Sequence, residues 1–230
     1  MQPVKKKRKL LVCVEGPIGS GKSTLLKAIK ALNKIGVVAL EEPVGDWKSV
    51  EVNPGKNMLQ AMYDGTLNSA LFQLSILQSR FGPLVRALAD DETDVVVSER
   101  SPWSEKWVFA KSNLTESEFA CYNYAHTCLI RDLFPIVGEV DVIFYRLTLP
   151  AATILERIEQ RGRVEEKGIE PAYLERLELA HDEMEEMLKS PHDLGCEEAI
   201  KSVKHVSVDV SGVGAEELAG MLLHTSFGRE

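Results

Sequence analysis

Cysteine is scarce and poorly spaced for metal or disulfide chemistry. The four thiols, Cys13, Cys121, Cys128 and Cys196, have no pair at metal-ligand spacing, and the five histidines are equally dispersed. They read as free thiols of a reducing compartment, which places the protein inside the cell. No apolar run approaches the length of a membrane span and no secretory signal pattern opens the chain, so no membrane partner is expected. Excess positive charge is missing too. A net charge of −8 gives no overall attraction for nucleic acid. With no repeat, low-complexity linker or sign of a second domain, the 230 residues suit one large domain with a single core.

One local bias runs against the acidic balance. Lys5-Lys6-Lys7-Arg8-Lys9 is a basic run just ahead of the first apolar segment. It reads either as a nuclear-import signal or as a solvated tail, so the compartment is cytoplasmic or nuclear. The expected division is a basic tail over 1–9 and a single domain over 10–230.

What is present is a glycine-rich loop. Gly16-Pro17-Ile18-Gly19-Ser20-Gly21-Lys22-Ser23-Thr24 reads G-x-x-x-x-G-K-S, after the apolar Leu10–Val14 and before the helical Leu25–Ile29. That strand–loop–helix context is what a phosphate loop requires. The glycines let backbone N–H groups turn inward on an anion, and the helix N-terminus adds partial positive charge. Lys22 would reach the β- and γ-phosphates and the Ser23 hydroxyl would hold a magnesium ion. A nucleoside triphosphate is the expected ligand.

The rest of the chain alternates. Strands are predicted at 10–14, 37–40, 95–97, 140–147 and 203–210 from short apolar runs. Helices are predicted over 22–34, 57–63, 67–89 with Pro83 a possible kink, 115–134, 151–161, 171–189 and 215–223. Residues 46–56, with Asn53-Pro54-Gly55, read as a loop, as do 162–168 and 211–214. Five strands separated by helices argue for a doubly wound parallel α/β sheet with helices on both faces. In such sheets ligands bind outside the carboxyl ends of the strands, which points to Glu42 after the second strand and Glu99-Arg100-Ser101 after the third.

Taken in order, Gly16–Thr24, Glu42-Pro43-Val44 with Trp47, Met62-Tyr63, Phe72-Gln73 with Arg80, Glu99-Arg100-Ser101, and Arg157-x-x-x-Arg161-Gly-Arg163-x-Glu165-Glu166 resemble the deoxyribonucleoside kinase family. The resemblance spans nearly the whole chain. It implies a P-loop NTPase-type fold with an arginine-rich lid, ATP and Mg2+ as cofactors, a deoxynucleoside substrate and a homodimer built on helices such as Leu67–Leu88 and Thr115–Phe134.

The chemistry of these residues agrees. A carboxylate at a strand end facing the phosphate loop can take the proton of an attacking 5′-hydroxyl, and Glu42 is that candidate. Glu41, its neighbour in an extended segment, points the other way. The resemblance puts Arg100 beside the base and the phosphoryl oxygens, and Glu99 near the metal. Three arginines within seven residues repel unless an anion gathers them, so Arg161 and Arg163 are assigned to the γ-phosphate with Arg157 in support. Gln73 can pair with a base edge, while Trp47, Phe72 and Phe109 offer apolar faces. Tyr63 and Glu166 match the family's 3′-hydroxyl contacts.

The base is the open point. Arg80 matches an arginine that deoxycytidine and deoxyguanosine kinases carry. Its usual partner, an aspartate, is replaced here by the longer Glu105. Ile76 narrows the pocket against purines. Deoxycytidine is the first expectation, with thymidine alone or both bases open. A nucleoside monophosphate kinase and a non-catalytic protein that kept the fold are the other readings.

Overall fold

Lys9–Glu15 forms a strand, β1, in which all seven residues are buried, as a continuous apolar run between two helical layers should be. The structure, a computed structural model, describes residues 7–163 and 170–227; expectations on 1–6, on 164–169 (including Glu165 and Glu166) and on 228–230 lie outside the described residues. After β1 come α1 (Lys22–Ala31), β2 (Val37–Leu40), α2 (Val44–Ser49), β3 (Glu51–Asn53), β4 (Lys56–Asn57), α3 (Met58–Tyr63), α4 (Ser69–Ala89) and β5 (Val95–Glu99). Next are α5 (Pro102–Ser104), a π-helical stretch Glu105–Ala110, α6 (Lys111–Asn113), α7 (Glu116–Leu133) and a 3-10 turn Phe134–Val137. The order closes with β6 (Val140–Thr148), α8 (Ala151–Arg161), α9 (Pro171–Met187), β7 (Ile200–Asp209) and α10 (Ala215–Phe227).

The main sheet has the order β2-β5-β1-β6-β7, and every pairing in it is parallel. All five predicted strands are therefore members of one sheet. Strand order reverses on either side of β1, so the crevice at its carboxyl end is the switch point where ligands of such folds bind.

Period-two alternation divides the core. Leu10, Val12 and Val14 face α1 and α10 through Leu25, Leu26, Ile29, Leu218 and Leu222. Leu11 and Cys13 face the opposite layer, with Phe81, Trp103, Phe134 and Phe144. Trp103 donates its ring N–H to the Leu194 carbonyl at 3.0 Å, which satisfies the one polar atom of that aromatic group.

Three expectations need correction. Residues 46–56 are not an irregular loop: they carry most of α2 and the antiparallel β3–β4 pair, turned around Asn53-Pro54-Gly55. Buried Trp47 anchors α2, and Asn57 caps α3 in a reciprocal box with Gln60. Helix α1 stops before residue 34 because Asn33 takes a left-handed φ of 45°. The basic run is not wholly a free tail. Lys7 pairs with Asp94 at 2.6 Å, Arg8 pairs with Asp141, and Lys9 donates to the Asp90 carbonyl inside β1. Only Lys9 of these is buried in the strand; Lys7 and Arg8 stay solvent-exposed in their ion pairs, so the domain begins at Lys9 and not at residue 10. Helix α4, by contrast, continues past Pro83 to Ala89. Among the described residues no helix is long and apolar enough to cross a membrane.

Candidate active site

The loop between β1 and α1 closes on its own lysine. Lys22 donates to the Gly16 carbonyl at 3.0 Å, the Pro17 carbonyl at 2.7 Å and Ser20 Oγ at 3.4 Å. Gly21 caps α1 in the left-handed region and no side chain caps this helix, so its first N–H groups face the cleft. Burial, with the charge of Arg100 adding, pushes Lys22 down to about 7 against the pull of Glu99, Glu42 and Glu15. Ser23 donates to Glu99 Oε1 at 2.8 Å, which brings the two oxygen donors assigned to a cation together.

Across the crevice stands Glu42. One of its carboxylate oxygens accepts from Arg100 Nε at 3.0 Å and from Arg80 Nη1 at 3.2 Å. Burial works to raise this carboxyl; the charges of Arg80, Arg100 and Lys22 outweigh it and hold Glu42 below its ordinary range, so it is ionised at neutral pH. Its side chain keeps 22% exposure, enough to meet a substrate. Glu41 pairs with Lys30 at 2.6 Å and, contrary to expectation, also borders the cleft beside Glu42.

Arg100 is fixed from several sides. Its φ of 64° is left-handed for a bulky residue, a strained geometry that tends to mark functional sites. It donates to the Gly16 carbonyl at 3.1 Å and lies 4.4 Å from the Phe109 ring centroid. Arg80 also pairs with Glu105 and donates to the Glu99 carbonyl. Burial pushes Glu105 up against the opposing pull of Arg80.

An apolar recess lies beside this network. Trp47, Phe72 and Ile76 form one buried cluster with Met62 against it, and the Trp47 ring N–H donates to Ser79 Oγ at 3.0 Å. Gln73 is 6% exposed, and its amide oxygen is buried without a hydrogen-bond partner among the described residues. At the loop end, α8 rests on the phosphate loop through Ile154 and Ile158, which pack against Ile18.

These residues share a cleft of about 810 Å³. It is lined by Ile18 to Thr24, Glu42, Trp47, Met62, Tyr63, Phe72, Gln73, Ile76, Arg80, Glu99, Arg100, Glu105 and Phe109, and by Arg157, Arg161 and Arg163. Gly16 and Pro17, expected to contact the ligand, do not line it; their carbonyls turn to Lys22. Glu166 lies outside the described residues. The structure therefore brings together side chains from five separated segments at one sheet edge.

The sequence matches the family described as deoxynucleoside kinase over residues 12–214. The chain belongs to the deoxynucleoside kinase family. It is similar to deoxycytidine kinase 2 of Gallus gallus, 32% identical over 76% of this chain and 74% of the relative. Deoxyguanosine kinase of Xenopus laevis is 33% identical over 74% of this chain and 70% of its own. Mitochondrial thymidine kinase 2 of Homo sapiens is 31% identical over 77% and 65%. Kinases named for three different bases thus stand at nearly equal distance, and overall identity does not choose among them.

Several residues of this family member's cleft escaped the sequence reading. Leu59 extends the apolar recess, Asn113 and Tyr173 line the cleft from α6 and α9, and Val213 and Leu218 border the loop end. None belongs to a motif. Tyr173 follows Pro171 at the start of α9, and that position was the only available signal.

Proposed function

We propose that this deoxynucleoside kinase transfers the γ-phosphoryl group of ATP to the 5′-hydroxyl of a 2′-deoxynucleoside in nucleotide salvage, with deoxycytidine as first acceptor and thymidine as second. The observation that carries the reading is the ionised Glu42 carboxylate, held by Arg100 and Arg80 on the same cleft as Lys22 and Ser23. Glu42 takes the hydroxyl proton; Arg100 orients Glu42 and offsets charge on the phosphoryl oxygens. The oxygen-only pair of Ser23 and Glu99 suits a hard cation such as Mg2+, which would neutralise charge on the β- and γ-phosphates. Arg161 and Arg163 stabilise the γ-phosphate, Arg157 supports them, and their segment acts as a lid.

Steady-state kinetics with ATP and the four deoxynucleosides tests this, with deoxycytidine monophosphate as control. Faster turnover of the monophosphate would mean a nucleoside monophosphate kinase instead.

Gln73, whose amide oxygen has an acceptor site to spare, reads the base edge between Phe72 and Trp47. The Arg80–Glu105 pair disfavours the thymine methyl, although Arg80 is also drawn toward Glu42 and the Glu99 carbonyl. Replacing the pair (Arg80→Met with Glu105→Ala) should raise the thymidine-to-deoxycytidine ratio of kcat/KM about tenfold or more. An unchanged ratio would show that the pair does not face the base.

Lys22 supplies a pH prediction. A triphosphate in the loop restores its proton, so binding at pH 8 should take up close to one proton, and affinity should fall by up to about tenfold per pH unit above 7. Calorimetry in two buffers of different ionisation enthalpy reads this directly; zero uptake would mean Lys22 is already charged in the free protein.

A homodimer completes the proposal. An apolar groove lined by Leu71, Leu74, Leu77, Leu129 and Leu133 runs between α4 and α7, and Leu71 is 60% exposed. Light scattering should give the mass of two chains, and Leu71→Glu should shift it toward one; a parent monomer at working concentration refutes the dimer.

A further inference from the structure

We propose that Glu15, the last residue of β1, is a positioning residue for Arg100 and Lys22. This rests on the phosphoryl-transfer reading above and adds a residue to it. Glu15 is 1% exposed, and among the described residues neither carboxyl oxygen has a hydrogen-bond partner. It continues the strand face of Leu11 and Cys13, which belong to the apolar core. Its register partner on β6 is Arg146, a ready counter-ion. Yet Arg146 turns to α9, where it meets Glu178, Asp182 and Glu185 at 2.5, 2.6 and 3.1 Å. A leucine would fill the same position without an unpaired polar group, so packing does not explain a glutamate here.

The backbone on either side of Glu15 carries the catalytic geometry. The preceding carbonyl, of Val14, accepts from the Arg100 N–H at 2.9 Å. The following one, of Gly16, accepts from both Lys22 Nζ and Arg100 Nη1, at 3.0 and 3.1 Å. The groups that act on the Glu15 carboxyl are Ser101, Arg100, Ser104 and Arg80. Ser101 and Ser104 tie the turn that follows the left-handed Arg100: Ser104 N–H donates to Ser101 Oγ and Ser104 Oγ to the Ser101 carbonyl, each at 3.0 Å. The carboxyl therefore lies between the phosphate loop and the Arg100 turn. Burial raises it from its ordinary range despite these neighbours. The carboxyl stands beside the Ser101 and Ser104 hydroxyls without closing a hydrogen bond to them in this geometry, and a carboxyl or carboxamide, unlike an aliphatic side chain, can bond to both. Glu15 is thereby placed to hold the spacing of two backbone segments whose carbonyls and N–H groups aim Arg100 and Lys22.

Two variants test this with ATP and the preferred deoxynucleoside. Glu15→Gln keeps size, donor and acceptor, and its kcat should stay within about threefold of the parent. Glu15→Leu removes both; its Tm should equal or exceed the parent's while kcat falls about tenfold or more, with both KM values within about threefold. Stability held or raised as turnover falls is a pattern that a purely structural residue would not give. Parental kcat in Glu15→Leu overturns the inference, as does a kcat loss that tracks a falling Tm, or equal damage from Gln. A parent that phosphorylates no deoxynucleoside overturns the functional reading first, and this inference with it.

Discussion

Glu42→Ala is expected to lower kcat by about three orders of magnitude, inside the range for a lost general base. KM for the nucleoside should move little, because the base sits at the reacting hydroxyl and the recess around Phe72 and Gln73 is untouched. Glu42 is a weak base, since three cations hold its carboxyl below the ordinary range. Phosphoryl transfer through a loose transition state tolerates that: the attacking hydroxyl keeps its proton until late, and position matters more than base strength. The alanine variant carries a second effect. Arg100 and Arg80 have side chains only 6% and 11% exposed, and both lose a carboxylate partner. They keep the Gly16 carbonyl, Glu105 and the Glu99 carbonyl, so the stability loss should be about 1–3 kcal/mol. Glu42→Gln separates the two effects. It retains an oxygen for Arg100 but cannot take a proton, so kcat should fall as far with little change in Tm. Full turnover in the glutamine variant would show the base to be misassigned. The sign of the pH effect follows as well. A carboxyl whose folded pKa lies below its unfolded value contributes stability that is present above the unfolded pKa and lost as pH falls through the folded one. Glu42→Gln should therefore lose less stability than the parent between neutral pH and the acid limb, measured by denaturant titration.

How much of this was legible in the chain depends on whether it was local. The phosphate loop was, because strand, glycines, lysine and serine lie within one stretch and each has a distinct physical task. The central strands β1, β5 and β6 were, because burial on both faces leaves nearly continuous apolar runs, whereas the edge strand β7 showed only apolar–polar alternation. The helix Lys111–Asn113 and the π-helical Glu105–Ala110 before it were not. Its wider turn follows no 3.6-residue period, yet it sets Glu105 and Phe109 into the cleft. The hairpin after Trp47 was hidden too, since Pro54-Gly55 signals a turn but not the short strands beside it. Arg80's reach was the largest omission. It was read as facing the nucleobase, whereas its guanidinium also meets Glu42, 38 residues earlier, and the carbonyl of Glu99. Only the packing of α4 against the sheet edge makes that contact, and no spacing in the chain encodes it. Arg100's left-handed backbone was equally unreadable, because strain of that kind is set by surroundings and not by residue type.

Gly16→Ala should lower kcat/KM at least about a hundredfold, the scale at which misplacement of reacting groups by roughly an ångström is felt. A Cβ on Gly16 would stand 2.5 Å from the Leu147 carbonyl oxygen, and its φ of +128° is one that L side chains rarely adopt. The neighbour is the backbone of β6 in the middle of the sheet, which cannot swing away as a long side chain would. The loop itself must move. Its displacement would carry the Gly16 carbonyl, and with it the bonds that hold Lys22 and Arg100, so donor and acceptor sides of the reaction are disturbed by one methyl group. Gly220→Ala is the matched control. Gly220 lies within α10 with nothing within 4 Å of an added Cβ, so alanine there should raise stability by about 0.5–1 kcal/mol and leave kinetics alone. Near-parental kcat/KM in Gly16→Ala would mean that the loop can move away from β6 without disturbing Lys22 and Arg100. The Gly16 carbonyl would then not be the link between the two cations, and the close fit at Leu147 would matter only to packing.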